Sequence, residues 1–134
     1  VKKKVAVFFG GKSCEHDISI ITALQAMNNL DRSKYEVCAV YIRDGFYCGD
    51  LEKISEFTPF VETDHTKVYL LGNTFFECSK KIKKVFKPDV ALLCTHGGDG
   101  ENGCLQGLLE MADIPYTSAN ILGSAVCMNK ALSK

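Results

Sequence analysis

A β-rich apolar run, Lys4-Val5-Ala6-Val7-Phe8-Phe9, stops at Gly10-Gly11 and gives way within a few residues to an amphipathic helical pattern. A run without polar alternation suits a strand buried on both faces, as in parallel sheets covered by helices. From Asp17 to Leu30, Ile20, Ala23, Leu24 and Met27 recur at i, i+3, i+4 and i+7, while Gln25, Asn28 and Asn29 supply a wet side. Tyr35 to Ile42 reads as a second strand, closed by the turn signal Arg43-Asp44-Gly45, with Phe46 to Cys48 pairing back as a short arm. The order repeats further on. Asp89 to Thr95 reads as a buried strand, and Asn102 to Ala112 as a helix with Leu105, Leu108, Leu109 and Ala112 on one face. Pro115 to Thr117 follows as a short strand and Ile121 to Met128 as a last helix. Two strand–helix–strand units predict an α/β fold of three layers: a parallel sheet, helices on its faces and right-handed crossovers. Between the units, Lys67 to Leu71 and Thr74 to Cys78 around Gly72-Asn73 predict a small hairpin, and Ser79 to Phe86, stopped by Pro88, a short helix or turn. The stretch from Asp50 to Lys67 has no clear period, and Thr58-Pro59 argues against a continuous helix there.

The 134 residues suffice for one domain with its own core, residues 1–134. Sixteen basic and sixteen acidic side chains leave no net field to attract nucleic acid or an anionic membrane, so neither is expected as a partner. The lysine clusters at Lys2 to Lys4 and at Lys80, Lys81, Lys83 and Lys84 read as solvated flanks. No apolar run approaches the roughly 20 residues of a membrane span. Val1 to Phe9 is too short for a secretory signal. The seven cysteines include no Cys-x-x-Cys pair, so no metal site is expected on them. Cys38 and Cys94 sit within apolar runs, as buried reduced thiols do, which suits a reducing cytoplasm.

Ligands of parallel α/β sheets bind beyond the carboxyl ends of the strands. That rule singles out two loops, Gly10 to His16 and His96 to Gly103. In the first, Gly10-Gly11 permits a sharp turn and close approach of backbone to a ligand. This first loop contains neither Gly-x-Gly-x-x-Gly nor Gly-x-x-x-x-Gly-Lys-Ser/Thr, which disfavours a dinucleotide or Walker-type site there. Ser13 suits a helix N-cap. Two readings of Glu15 stand: a carboxylate that accepts from a substrate ammonium group, or an acidic residue that favours the first helical turn. The second loop holds four glycines in the eight residues from His96. His96 either projects into the crevice toward a carboxylate or is satisfied by local backbone. Asp99 and Glu101 are a weak signal for a metal.

Together the two loops resemble the D-alanine–D-alanine ligase family of the ATP-grasp superfamily. The first family motif, Gly-Gly-x-Ser-x-Glu-His/Arg-Glu/Asp-Val-Ser, corresponds to Gly10 to Ser19. The second, His-Gly-x-x-Gly-Glu-Asp-Gly, corresponds to His96 to Gly103, followed by Gln106-Gly107-Leu108-Leu109 and Asp113-Ile114-Pro115-Tyr116. A third, Ser-Ala-x-x-Met-Asp-Lys, corresponds to Ser124 to Lys130. The resemblance implies a Rossmann-like pre-ATP-grasp domain that binds the first D-alanine. Glu15 would anchor the ammonium group and His96 would orient the carboxylate, these two being the catalytic candidates. Gly10, Gly11, Ser13 and Gly97 would complete the substrate pocket, and Lys130 would reach the ATP phosphates. The implied reaction joins two D-alanines through an acyl phosphate for peptidoglycan synthesis, with ATP and magnesium (or manganese) as cofactors and a homodimer as the assembly. D-lactate or D-serine as second substrate, or a free-standing module that only binds an amino acid, are the alternatives. Asn102 and Asn129 stand where the family has aspartates, which removes two negative charges. Family members continue into central and carboxyl-terminal domains. The 134 residues are therefore expected to be a fragment that by itself neither binds ATP tightly nor forms dipeptide.

Overall fold

The computed structural model describes residues 1–11, 16–49, 53–55, 60–95 and 103–117. Strand β1 (Lys3–Gly10) is buried from Val5 onward, and its side chains divide between two cores. Val5, Val7 and Phe9 point to one, Ala6 and Phe8 to the other. This is the period-2 alternation of a strand whose faces are both covered. Helix α1 (His16–Asn29) covers the first face with Ile20, Ala23 and Met27, all nearly inaccessible, and Leu24 packs beside them. Helix α2 (Cys104–Met111) covers the second with Leu105 and Leu109, joined by Ala112 and Ile114. Each fully buried side chain of this size stabilises the fold by about 1.5–3 kcal/mol relative to exposure.

β2 (Tyr35–Ile42) and β7 (Val90–Leu93) flank β1, both parallel to it. Asp89 fixes the start of that pairing twice. Its N–H donates to the Lys4 carbonyl at 2.8 Å, and its carboxylate accepts from the Lys4 N–H at 2.8 Å. Beyond β2 every pairing is antiparallel. β3 (Phe46–Cys48), β4 (Thr66–Leu71), β5 (Thr74–Cys78) and β6 (Ile82–Phe86) extend the sheet in the order β6-β5-β4-β3-β2-β1-β7. A short 3-10 turn, Glu62–Asp64, leads into β4.

The expectation of a parallel sheet is therefore corrected. The strand–helix–strand half is parallel, but an antiparallel wing extends it: short turns join β2 to β3, β4 to β5 and β5 to β6, and a longer connection joins β3 to β4. Of the stretch Ser79 to Phe86, only Ser79 to Lys81 is a turn. From Ile82 it pairs with β5 as an edge strand, with Ile82, Lys83 and Lys84 exposed and Phe86 buried. Lysines on an edge discourage further strand pairing, so the charge run is compatible with a strand. The strand at Pro115 to Thr117 reduces to one parallel bridge, Ala91 to Tyr116. The helix expected at Ile121 to Met128 lies outside the described residues. Among the described residues, no helix is long and apolar enough to cross a membrane.

Candidate functional site

β1 ends in two glycines with positive φ, 91° at Gly10 and 98° at Gly11. A Cβ on Gly10 would lie 2.7 Å from the Ile42 carbonyl oxygen and 3.1 Å from the Tyr41 ring. Among the described residues, nothing lies within 4 Å of the corresponding position on Gly11. Gly10 is therefore demanded by packing and conformation together, Gly11 by conformation alone. The turn is held from both sides: the Gly11 N–H donates to the Ile42 carbonyl at 2.9 Å, and the Gly10 N–H donates to the fully buried Ser19 hydroxyl at 2.7 Å. Ser19 thus ties α1 to the end of β1. Ser19→Ala leaves a buried N–H without its acceptor and is expected to cost about 2 kcal/mol, read from urea unfolding.

An open cleft of about 620 Å³ adjoins this turn, lined by Gly11, Arg43, Asp44, Tyr47, Phe60 and Glu62. The β2–β3 turn supplies Arg43 and Asp44, and β3 supplies Tyr47. Arg43 lies 4.8 Å from the centroid of Phe60, whose ring stacks on His65 at 5.3 Å and meets Tyr41 and Tyr47 edge-on at 5.1 and 5.0 Å. Buried Tyr47 donates its hydroxyl proton to Asp44 at 2.8 Å, and the Lys67 ammonium approaches the same carboxylate at 3.4 Å. The Tyr47 hydrogen bond, with the Lys67 charge behind it, holds the Asp44 carboxyl below the usual carboxylate range. The same bond pushes the Tyr47 phenol up. Burial raises the Tyr41 phenol. One guanidinium, two carboxylates and an aromatic wall beside exposed backbone suit a small zwitterion better than an extended polyanion.

The sign of the Asp44 effect gives a test. Its folded-state pKa is depressed, so its contribution is present above the unfolded value, 3.8, and is lost as pH falls through the lower folded value. Tyr47→Phe is expected to return the Asp44 pKa toward 3.8 in a carboxyl NMR titration. The melting-temperature gap between wild type and variant is expected to narrow as the pH falls through that window.

β7 runs parallel to β1 with Leu93 opposite Phe8, and the Cys94 N–H donates to the Phe8 carbonyl at 2.8 Å. The chain therefore leaves β1 at Gly11 and β7 at Thr95 from one rim of the sheet. These are the points from which the two loops singled out above depart. Gly10 and Gly11 sit at this rim. Ser13, Glu15, His96, Gly97 and Lys130 lie outside the described residues. Sequence reading missed Arg43, Asp44, Tyr47, Phe60 and Glu62. The turn Arg43-Asp44-Gly45 was legible only as a turn, and the stretch holding Phe60 and Glu62 had no period. The one available signal was the aromatic spacing of Tyr41 and Tyr47 on either side of an aspartate.

Residues 4–119 match the family model described as "D-ala D-ala ligase N-terminus". A D-alanine–D-alanine ligase of Thermoanaerobacter sp. (strain X514) is 41% identical over 143 residues, covering 99% of this chain and 39% of the relative. Among solved structures, the VanG D-Ala:D-Ser ligase from Enterococcus faecalis aligns at a TM-score of 0.87 with 32% identity, covering 99% of this chain and 40% of that one. A D-alanine–D-alanine ligase from Bacillus anthracis complexed with ATP aligns at 0.62 with 30% identity, covering 98% and 34%. The chain spans about 40% of the length of the relatives it matches. It belongs to the family of D-alanine–D-alanine ligase amino-terminal domains.

Proposed function

We propose that this domain binds the first D-alanine of an ATP-dependent ligase that joins two D-alanines for peptidoglycan synthesis. The observation that carries the reading is the shared rim: β1 and β7 are neighbouring parallel strands, so the Glu15 and His96 loops depart side by side. In this reading the Glu15 carboxylate accepts hydrogen bonds from the substrate ammonium group and His96 donates to its carboxylate. Ser13, Gly10, Gly11 and Gly97 shape the pocket, and Lys130 reaches toward the ATP phosphates. The parallel half of the sheet plays the part of the Rossmann-like pre-ATP-grasp core. ATP phosphorylates the carboxylate of one D-alanine, and the amine of the second attacks the acyl phosphate. Among the described residues, no cluster of three or more His, Cys, Asp or Glu side chains suits a metal ion. A cytoplasmic homodimer is part of the same proposal.

The test is dipeptide formation by the ligase that joins this domain to the remainder of its reading frame. D-Alanine-dependent phosphate release with D-alanyl-D-alanine as product is expected. Preference for D-serine as second substrate would place the enzyme with the VanG type. The absence of any D-alanine-dependent turnover would overturn the proposal.

A further inference from the structure

We propose that Cys38 and Cys48 form a dithiol modification site on the β2–β3 hairpin, closed to a reversible disulfide by a small hydroperoxide. The two sulfurs are in contact at 2.8 Å, and neither is in a disulfide. Cys48 stands opposite Val40 in the antiparallel ladder, which puts Cys38 two residues along β2 on the same face. Both side chains pack against the core beneath α2, so their backbones are held and little motion is needed to reach the about 2 Å of an S–S bond. Both are only half-buried, open enough for a reagent the size of a hydroperoxide. Among the other described cysteines, Cys94 is buried and its thiol is pushed up by burial, while Cys78 and Cys104 are exposed.

The pair also has an internal division of labour. The two thiols share a hydrogen bond in which either sulfur can donate. The balance favours a protonated Cys38, its pKa raised first by that bond and then by burial. The same bond lowers the Cys48 pKa against the opposing effect of burial. Cys48 is thus the nucleophile and Cys38 the resolving thiol. The Cys48 thiolate attacks the hydroperoxide. An S–O bond forms, the O–O bond breaks, and the leaving alkoxide takes a proton to become an alcohol (water, from hydrogen peroxide). The Cys38 sulfur then attacks the sulfenic acid. The S–S bond forms, the S–O bond breaks, and hydroxide leaves with the Cys38 proton as water. Two electrons pass from the two thiols to the peroxide, and a dithiol reductant reverses the change.

The site bears on the cleft. Between the two cysteines lie Ile42, whose carbonyl holds the Gly11 N–H, and the cleft residues Arg43, Asp44 and Tyr47. A disulfide here would tie the base of the hairpin that forms one cleft wall.

The experiment treats the full chain with one equivalent of hydrogen peroxide, alkylates the remaining thiols under denaturing conditions and maps the digest by mass spectrometry. A linked Cys38–Cys48 peptide pair, lighter by two hydrogens than its reduced parts and removed by a dithiol reductant, is expected, with Cys78 and Cys104 still alkylated. In Cys38→Ser, trapping of Cys48 sulfenic acid by a cyclic dione should rise roughly tenfold over wild type, because the resolving thiol is gone. Oxidation confined to Cys78 or Cys104, with Cys38 and Cys48 both alkylated in the wild-type digest, would overturn the proposal whether or not the variant folds.

Discussion

Gly10→Val is expected to destabilise the domain by about 4 kcal/mol, combining roughly 1–3 kcal/mol for a left-handed backbone with a similar cost for overpacking. The position allows no easy relief. A Cβ would meet the Ile42 carbonyl oxygen at 2.7 Å, and that oxygen is already the acceptor for the Gly11 N–H. Moving Ile42 away therefore breaks a second interaction. Moving Gly10 away instead strains its N–H bond to Ser19. For a chain of this length the loss corresponds to a fall of roughly 15 °C in melting temperature. Gly11→Ala separates the two causes. It shares the positive φ but meets none of the described residues within 4 Å, so a cost of only about 1 kcal/mol is expected. Equal losses at the two positions would show that conformation, and not the contact with Ile42, makes Gly10 necessary.

How much of this was legible in the sequence depends on how local the information is. The two-faced burial of β1 is written in Val5 to Phe9, and the α1 stripe in Ile20, Ala23 and Met27, because one element carries the whole pattern. The β2–β3 and β4–β5 turns were legible from Arg43-Asp44-Gly45 and Gly72-Asn73 for the same reason. The antiparallel wing was not. Pairing Phe46 with Val68 is decided by packing between segments some twenty residues apart, and no periodicity encodes it. β6 was hidden by its lysines, which suit a solvated flank and an edge strand equally well. The cleft follows the same division. The Gly10-Gly11 turn is local, whereas Phe60 and Glu62 reach Arg43 only through the long connection from β3 to β4.

If Glu15 holds the substrate as proposed, Glu15→Gln in the full-length protein is expected to lower kcat/KM for D-alanine by about 100-fold. The substitution keeps the side chain's shape and one carbonyl acceptor but removes the negative charge. Removing one partner of a buried hydrogen-bonded charge pair costs 2–5 kcal/mol, and about 3 kcal/mol is two decades in rate. Because Glu15 immediately precedes α1 at the amino end, the competing role is a carboxylate that merely favours the helix terminus. That role predicts a different result: stability lower by roughly 0.3–1 kcal/mol, with kcat/KM unchanged. The two quantities thus move oppositely under the two roles. Steady-state kinetics at subsaturating D-alanine beside a thermal melt of the same preparation distinguishes them. In the proposed binding role the zwitterion reads the charge of residue 15 more than its length, so Glu15→Asp should retain more activity than Glu15→Gln despite being the shorter side chain. Wild-type kcat/KM in both variants would place Glu15 outside the substrate's reach and return the residue to the helix end alone.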